Sequence, residues 1–340
     1  MTRKPDFENL LAVLHRKVPS RPTLFEFFLN DSVYTRLAQR PICPDWFSPD
    51  RAKTRLLAYE RAGYDYLTVL PSDWQFPTKE HDQQASLSIN DQALISDRAS
   101  FNAYPWPDPE KADISRLDML AKECPKGMKL IPFGPGGPFE NTMYIIGFDN
   151  LCLMLADDPE LAADVFNQVG SRMLRYYERF VNHPAVGACI VNDDWGFNSQ
   201  PMISPQHIRQ YVIPWHKKIV ECIHAAGKPA ILHSCGNLAS LMDDVIDTIG
   251  YNAKHAHEDK IQPVEDAYEQ YHHRIAILGG LDIDFICRST PEAITQRAQA
   301  MLHRTATRGA YALGTGNSVP YYVPDENYFA MISAATGLKY

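Results

Sequence analysis

The chain has 340 residues, a formal net charge of −8, 45% hydrophobic residues and 22% charged ones. That balance excludes a disordered chain, supplies enough apolar surface for a large core, and disfavours a nucleic-acid backbone or an anionic membrane as the main partner. No run of about 18 apolar residues occurs, so no membrane-spanning helix is expected. The N-terminus lacks an apolar signal-peptide core, and the seven cysteines, odd in number and scattered, fit reduced thiols in a cytoplasm.

Taken in chain order, eight β-prone apolar runs appear, at 23–28, 64–70, 129–134, 185–191, 229–235, 251–257, 274–280 and 309–314. They are nearly continuous rather than alternating, as strands buried on both faces should be. Helical segments lie between them. Ser48, Asp108, Asp158, Ser204 and Thr290 each precede a proline, the pattern of an N-cap followed by the first helical residue. Gly63, Gly227, Gly250 and Gly309 stand where helices should close.

Eight strand–helix units predict a single (β/α)8 TIM-type barrel domain over residues 1–340. An open doubly wound sheet is the rival, but no G-x-G-x-x-G follows the first run. Gly134–Pro138 reads as a turn with little claim to an anion. Residues 71–108, rich in Trp, Tyr and Pro, are too long for an ordinary loop and read as a lid or substrate loop, or an oligomer contact.

Barrel chemistry sits where strands end. Glu26 lies within the first run; Asp193, Asp194 and Trp195 follow the fourth. His233 and Cys235 end the fifth, His255, His257 and Glu258 the sixth, Asp282 the seventh, and Asn317 the eighth. So many polar groups at one face are hard to explain by core packing. His233 and Cys235, two apart on a strand, share a face and form a zinc-type donor pair, or else are a buried thiol beside a hydrogen-bonded imidazole. Asp194, His255, His257 or Glu258 could complete a metal set or handle protons. Adjacent Asp193 and Asp194 face opposite ways, so one of them enters the site, and the sequence does not choose. Glu26, Asp193, Trp195, Asp282 and Asn317 are the expected substrate-binding residues, and Asp194, His255 and Glu258 the expected catalytic ones. His272–His273 lie at the wrong barrel end for catalysis, and Tyr321–Tyr322 either wall the pocket or pack on its rim.

Four segments carry a family resemblance: VNDDWGFNSQPMISPQHIRQYVIPWHKKI (191–219), HAAGKPAILHSCGNL (224–238), RIAILGGLDID (274–284) and GTGNSVPYYVPDENY (314–328). With them the chain resembles the uroporphyrinogen decarboxylase superfamily, whose fold is a TIM-type barrel. That superfamily includes the cobalamin-dependent, or corrinoid, methyltransferases. True decarboxylases carry an N-terminal arginine-rich motif for the substrate's carboxylates. Here the corresponding stretch, FEFFLNDSVY (25–34), has no arginine and adds Glu26 and Asp31.

The methyltransferase branch holds zinc with H-x-C and a cysteine in a later G-C-G. His233 and Cys235 match the first two ligands, and Thr315 stands where the third would be. The resemblance implies a zinc-dependent enzyme moving a methyl group between a corrinoid carrier protein and a small-molecule acceptor, and it favours a homodimer. The alternative is a decarboxylase or lyase using acid–base residues without metal.

Overall fold

The computed structural model describes residues 3–78 and 93–340; residues 79–92, the middle of the expected lid, lie outside the described residues. Seven short parallel strands form: β1 (Tyr66–Val69), β2 (Lys129–Pro132), β3 (Cys189–Asn192), β4 (Ala230–His233), β5 (Ala253–His255), β6 (Ala276–Leu278) and β7 (Tyr311–Ala312). β1 pairs with β2, and β3 to β7 pair in sequence. Single parallel bridges, Leu130 to Val186 and Phe133 to Ile190, carry β2 onto β3. Every strand falls on an expected run, β3 passing its end by one residue at Asn192, and each is shorter, because the ends of the runs curve away into loops.

The first run, 23–28, forms no ladder strand. One bridge, Leu24 to Leu313, ties it to the end of β7. Toward β1 the seam is made by side chains. The Tyr66 hydroxyl accepts from the Glu26 amide at 2.6 Å and donates to the Glu26 carbonyl at 2.8 Å, and the Thr68 hydroxyl donates to the Phe27 carbonyl. A phenol thus stands in for a neighbouring peptide, and the ring closes as an eight-stave barrel.

Helices wrap this wall. All five expected caps form, each with its proline in the first turn: Ser48, Asp108, Asp158, Ser204 and Thr290 accept from backbone amides two or three residues on. The longest helix, Pro159–Phe180, buries Leu161, Val165, Phe166, Val169, Met173, Tyr176 and Phe180, a stripe at helical spacing. Among the described residues no helix is long and apolar enough to cross a membrane.

Two expected substrate residues turn out to hold the wall together. Asp193 is fully buried, and its carboxylate accepts from the Phe139 and Glu140 amides, from Trp195 Nε1 at 2.9 Å and from His216 Nε2 at 2.7 Å. Those two amides open helix Pro138–Ile146, so the anion at the Gly134–Pro138 turn is supplied by the chain itself. His216 in turn meets the Tyr251 hydroxyl at 2.7 Å. The Asp193 carboxylate is thus spent on structural bonds, and Trp195 is buried with its indole N–H on Asp193.

Glu26 is also fully buried, and it too turns away from the cleft described below. Its Oε1 accepts from the Thr315 amide at 2.7 Å and its Oε2 meets Thr315 Oγ1 at 2.8 Å. Burial pushes its pKa up to about 8, and the neighbouring Tyr64, Tyr66 and Tyr328 supply no positive charge. The proton count agrees. Thr315 Oγ1 also donates to the Asn317 carbonyl, so its single proton is taken and a neutral Glu26 must donate to it.

An acid protonated more strongly when folded loses stability as pH rises from its unfolded value, near 4.3, to its folded one. Glu26→Gln keeps a donor and an acceptor at Thr315 without the charge. Urea unfolding should show a parent that weakens between about pH 4.5 and 8, and a variant that is flatter there and more stable at pH 8 by on the order of 2–4 kcal/mol. Asp193→Ala leaves His216 and two helix amides without their acceptor and should lower stability by about 3–5 kcal/mol in the same assay.

Candidate metal centre and substrate cleft

Register builds the centre. Asn192 on β3 pairs with His233 on β4, which pairs with His255 on β5. The three side-chain positions therefore lie level across the barrel. The chain after β3 then brings Asp194 to the same place. The β3 and β4 loops meet backbone to backbone: a Cβ on Gly236, whose φ is +82°, would come within 2.0 Å of the Gly196 carbonyl. Only two glycines allow this approach, and it seats Asp194 against Cys235.

Asp194, His233 and Cys235 each offer a ligand atom, all within 4.8 Å of one another. The Cys235 amide donates to Asp194 Oδ1 at 2.8 Å, and His233 Nε2 lies 3.9 Å from Cys235 Sγ. A tetrahedral zinc with ordinary Zn–N and Zn–S bonds sets those two atoms about 3.5 Å apart. The donor set, one carboxylate, one imidazole and one thiol, fits zinc with small adjustments and leaves a position open. Thr315 offers no ligand: its hydroxyl is turned to Glu26 and Asn317.

His255 stands behind His233 rather than in the cluster. The two Nδ1 atoms are 2.7 Å apart, and the far edge of the His255 ring lies by the Thr315 backbone. Burial lowers both imidazoles, His233 to about 4 and His255 well below its ordinary value, so both are neutral at pH 7. A neutral pair shares one proton across that contact, which leaves His233 Nε2 free to ligate when its Nδ1 donates. The Cys235 thiol is pushed well up by burial and by the Asp194 carboxylate, against a 3.2 Å bond from Asn317 Nδ2 and the positive charge of Lys254.

A cleft of about 360 Å³ opens onto this cluster, walled by Phe27, Phe28, Phe133 and the Gly134–Gly136 turn, with Asn317 and Ser318 opposite. Phe27 packs on His233, ring centres 4.6 Å apart. Glu140 lines the cleft too. Burial raises its pKa well above the ordinary carboxyl value, and the Asp193 and Asp194 charges push it further. No lysine or arginine lines the cleft among the described residues.

Of the other expected residues, Asn317 belongs here. Glu258 and His257 line neighbouring cavities instead, and Glu258 is absent from the cluster. Asp282 caps helix Ile283–Arg288 through the Phe285 amide and accepts from Asp259, so its carboxylate is occupied. Tyr321 and Tyr322 are exposed on the rim. Glu140 was invisible in the sequence. Its place just after the Gly134–Pro138 turn gave no sign that it would meet Asp194.

The family model for uroporphyrinogen decarboxylase (URO-D) matches residues 52–338. A methylcobamide:CoM methyltransferase, MtbA, from Methanosarcina acetivorans is 25% identical over 208 residues, 60% of this chain and 57% of that protein's length. A uroporphyrinogen decarboxylase from Geobacter sulfurreducens is 23% identical over 242 residues, 68% of each chain. The structure of a methyltransferase from Methanosarcina mazei superposes with a TM-score of 0.72 at 14% identity, covering 99% of both chains, which establishes the shared barrel fold. The chain belongs to the uroporphyrinogen decarboxylase (URO-D) family.

Proposed function

We propose that this protein is a zinc-dependent methyltransferase that delivers a methyl group from a corrinoid carried on a partner protein to a small acceptor in the cleft. The observation that carries this reading is the Asp194, His233 and Cys235 donor set, backed by His255 and facing the cleft. The similarity to a methylcobamide:CoM methyltransferase supports the class of reaction. Asp194 takes the place that a cysteine at Thr315 would otherwise fill.

Each residue then has a defined task. His233, Cys235 and Asp194 hold zinc, which when bound makes an acceptor thiol a thiolate near neutral pH. His255 fixes the ring and tautomer of His233. Asn317 donates to Cys235 Sγ and so favours its thiolate. Glu140, held neutral-prone beside Asp194, is the group placed to pass the acceptor's proton out of the cleft. The phenylalanines exclude water around the acceptor.

The cleft also bears on the substrate. At about 360 Å³ it is near the lower limit for small-molecule sites. Two carboxylates and no cation line it among the described residues, so an octacarboxylate porphyrinogen meets repulsion without a partner.

Elemental analysis of the purified chain should find about one zinc, lost in His233→Ala with Cys235→Ser. Zinc-free protein that stays metal-free when offered zinc, yet turns over substrate in the presence of chelators, would instead mark an acid–base decarboxylase or lyase. His255→Phe keeps all three ligands and should weaken zinc affinity about 10–100-fold in a competition titration. Glu140→Gln should keep full zinc content and slow methyl transfer about 10²–10⁴-fold.

A further inference from the structure

β5 presents His255 to the barrel interior, and the next residue back, Lys254, lies on the opposite face of the strand. There it lines a second cavity, about 290 Å³, between the wall and the segments that follow β4 and β5. This cavity does not include the metal-centre residues Asp194, His233 or Cys235.

Lys254 is buried, and no carboxylate lies within ion-pair distance of it among the described residues. Its ammonium has three donors and finds two backbone carbonyls, Ala256 at 2.5 Å and Ser234 at 3.5 Å. Burial lowers its pKa to about 8, which leaves it mostly charged at pH 7. A buried charge without a counter-ion is costly. The backbone is bent to hold it: Ala256, whose carbonyl is the close acceptor, sits at φ +81°, a conformation that disfavours any residue but glycine. On the same cavity wall, buried His257 has no partner for its Nε2. The remaining surface includes apolar Leu238, Met242, Ile261 and Ile277.

We propose that this cavity is a second ligand site, for a short-chain monocarboxylate whose anionic head pairs with Lys254 and whose tail lies on the apolar wall. The carboxylate supplies the missing counter-ion and accepts from the third ammonium donor. The volume holds roughly ten heavy atoms at about 30 Å³ each. Glu258 also lines the cavity and faces the same space, so the site takes one negative charge and rejects dianions.

Hexanoate is a suitable probe, with hexan-1-ol as its uncharged counterpart, in calorimetric titrations of the full chain at pH 7. Hexanoate should bind saturably, one per chain, and at least roughly tenfold more tightly than hexanol, the difference a charged hydrogen-bonded pair makes. Lys254→Met should reduce hexanoate to the hexanol level. Ala239→Phe, at an exposed position on the cavity rim, keeps the lysine and should block both ligands, which covers the case of a misfolded Lys254 variant. Zinc content should be unchanged in Ala239→Phe, so this result stands apart from the fate of the metal centre. Equal binding of acid and alcohol, hexanoate binding that survives Lys254→Met, or no saturable binding by parent protein would overturn the proposal and leave Lys254 solvated by water or paired with a reoriented Glu258.

Discussion

One buried carboxylate organises this barrel at the end where its chemistry lies. Asp193 receives four hydrogen bonds from three elements: the start of helix Pro138–Ile146, the indole two residues ahead, and His216 of helix Ile213–Ala225. Fully desolvated, such a charge is tolerable only because every lone pair is spoken for. Its direction matters as much as its bonds. Since successive side chains at a strand end diverge, Asp193 facing outward obliges Asp194 to face the cleft. The same bonds fix the helix that carries Glu140, so both cleft carboxylates take their positions from a third that is spent on the wall.

The barrel and its helix boundaries were legible because their signals are local. A cap followed by proline at Asp158 or Thr290 needs no knowledge of the rest of the chain. His233 and Cys235 were legible for a similar reason, since a two-residue spacing on a strand puts both on one face. Whether Asp193 or Asp194 enters the cleft was not, because that depends on which of them helix Pro138–Ile146 reaches, fifty residues earlier. The role of His255 depends on register between β4 and β5. Asp282 looked like a site residue because it follows a strand, and Glu26 because it is a carboxylate inside an apolar run, yet one is spent on a helix cap and the other on Thr315. A carboxylate's position in a motif says where it is, and only its donors say what it is free to do.

Adjacent residues of β5 separate two electrostatic environments. Inside, neutral imidazoles and carboxylates surround a thiol, and no cation lines the cleft among the described residues. Outside, an ammonium lies among backbone carbonyls. A strand that alternates faces can keep such groups one residue apart without their neutralising each other. The positive charge behind the wall still reaches through it, and it favours the thiolate of Cys235.

The seam at residues 23–28 has a consequence for how the chain assembles. Asp194, His233, Cys235 and His255 all lie within β3 to β5, a contiguous fifth of the sequence whose pairings are all between neighbours. The first stave must instead wait for a strand almost 290 residues later, Thr315 bonding Glu26 and Leu313 bridging Leu24. During synthesis that partner emerges only after β1 to β6. The nascent barrel is therefore an open-sided trough, with its donor residues already adjacent while Phe25 and Phe27 remain uncovered. Long-range closure of this kind is slow and leaves apolar surface exposed in the interval. Because the first stave is fastened to β1 by side chains, that edge is the natural place for the finished barrel to open first.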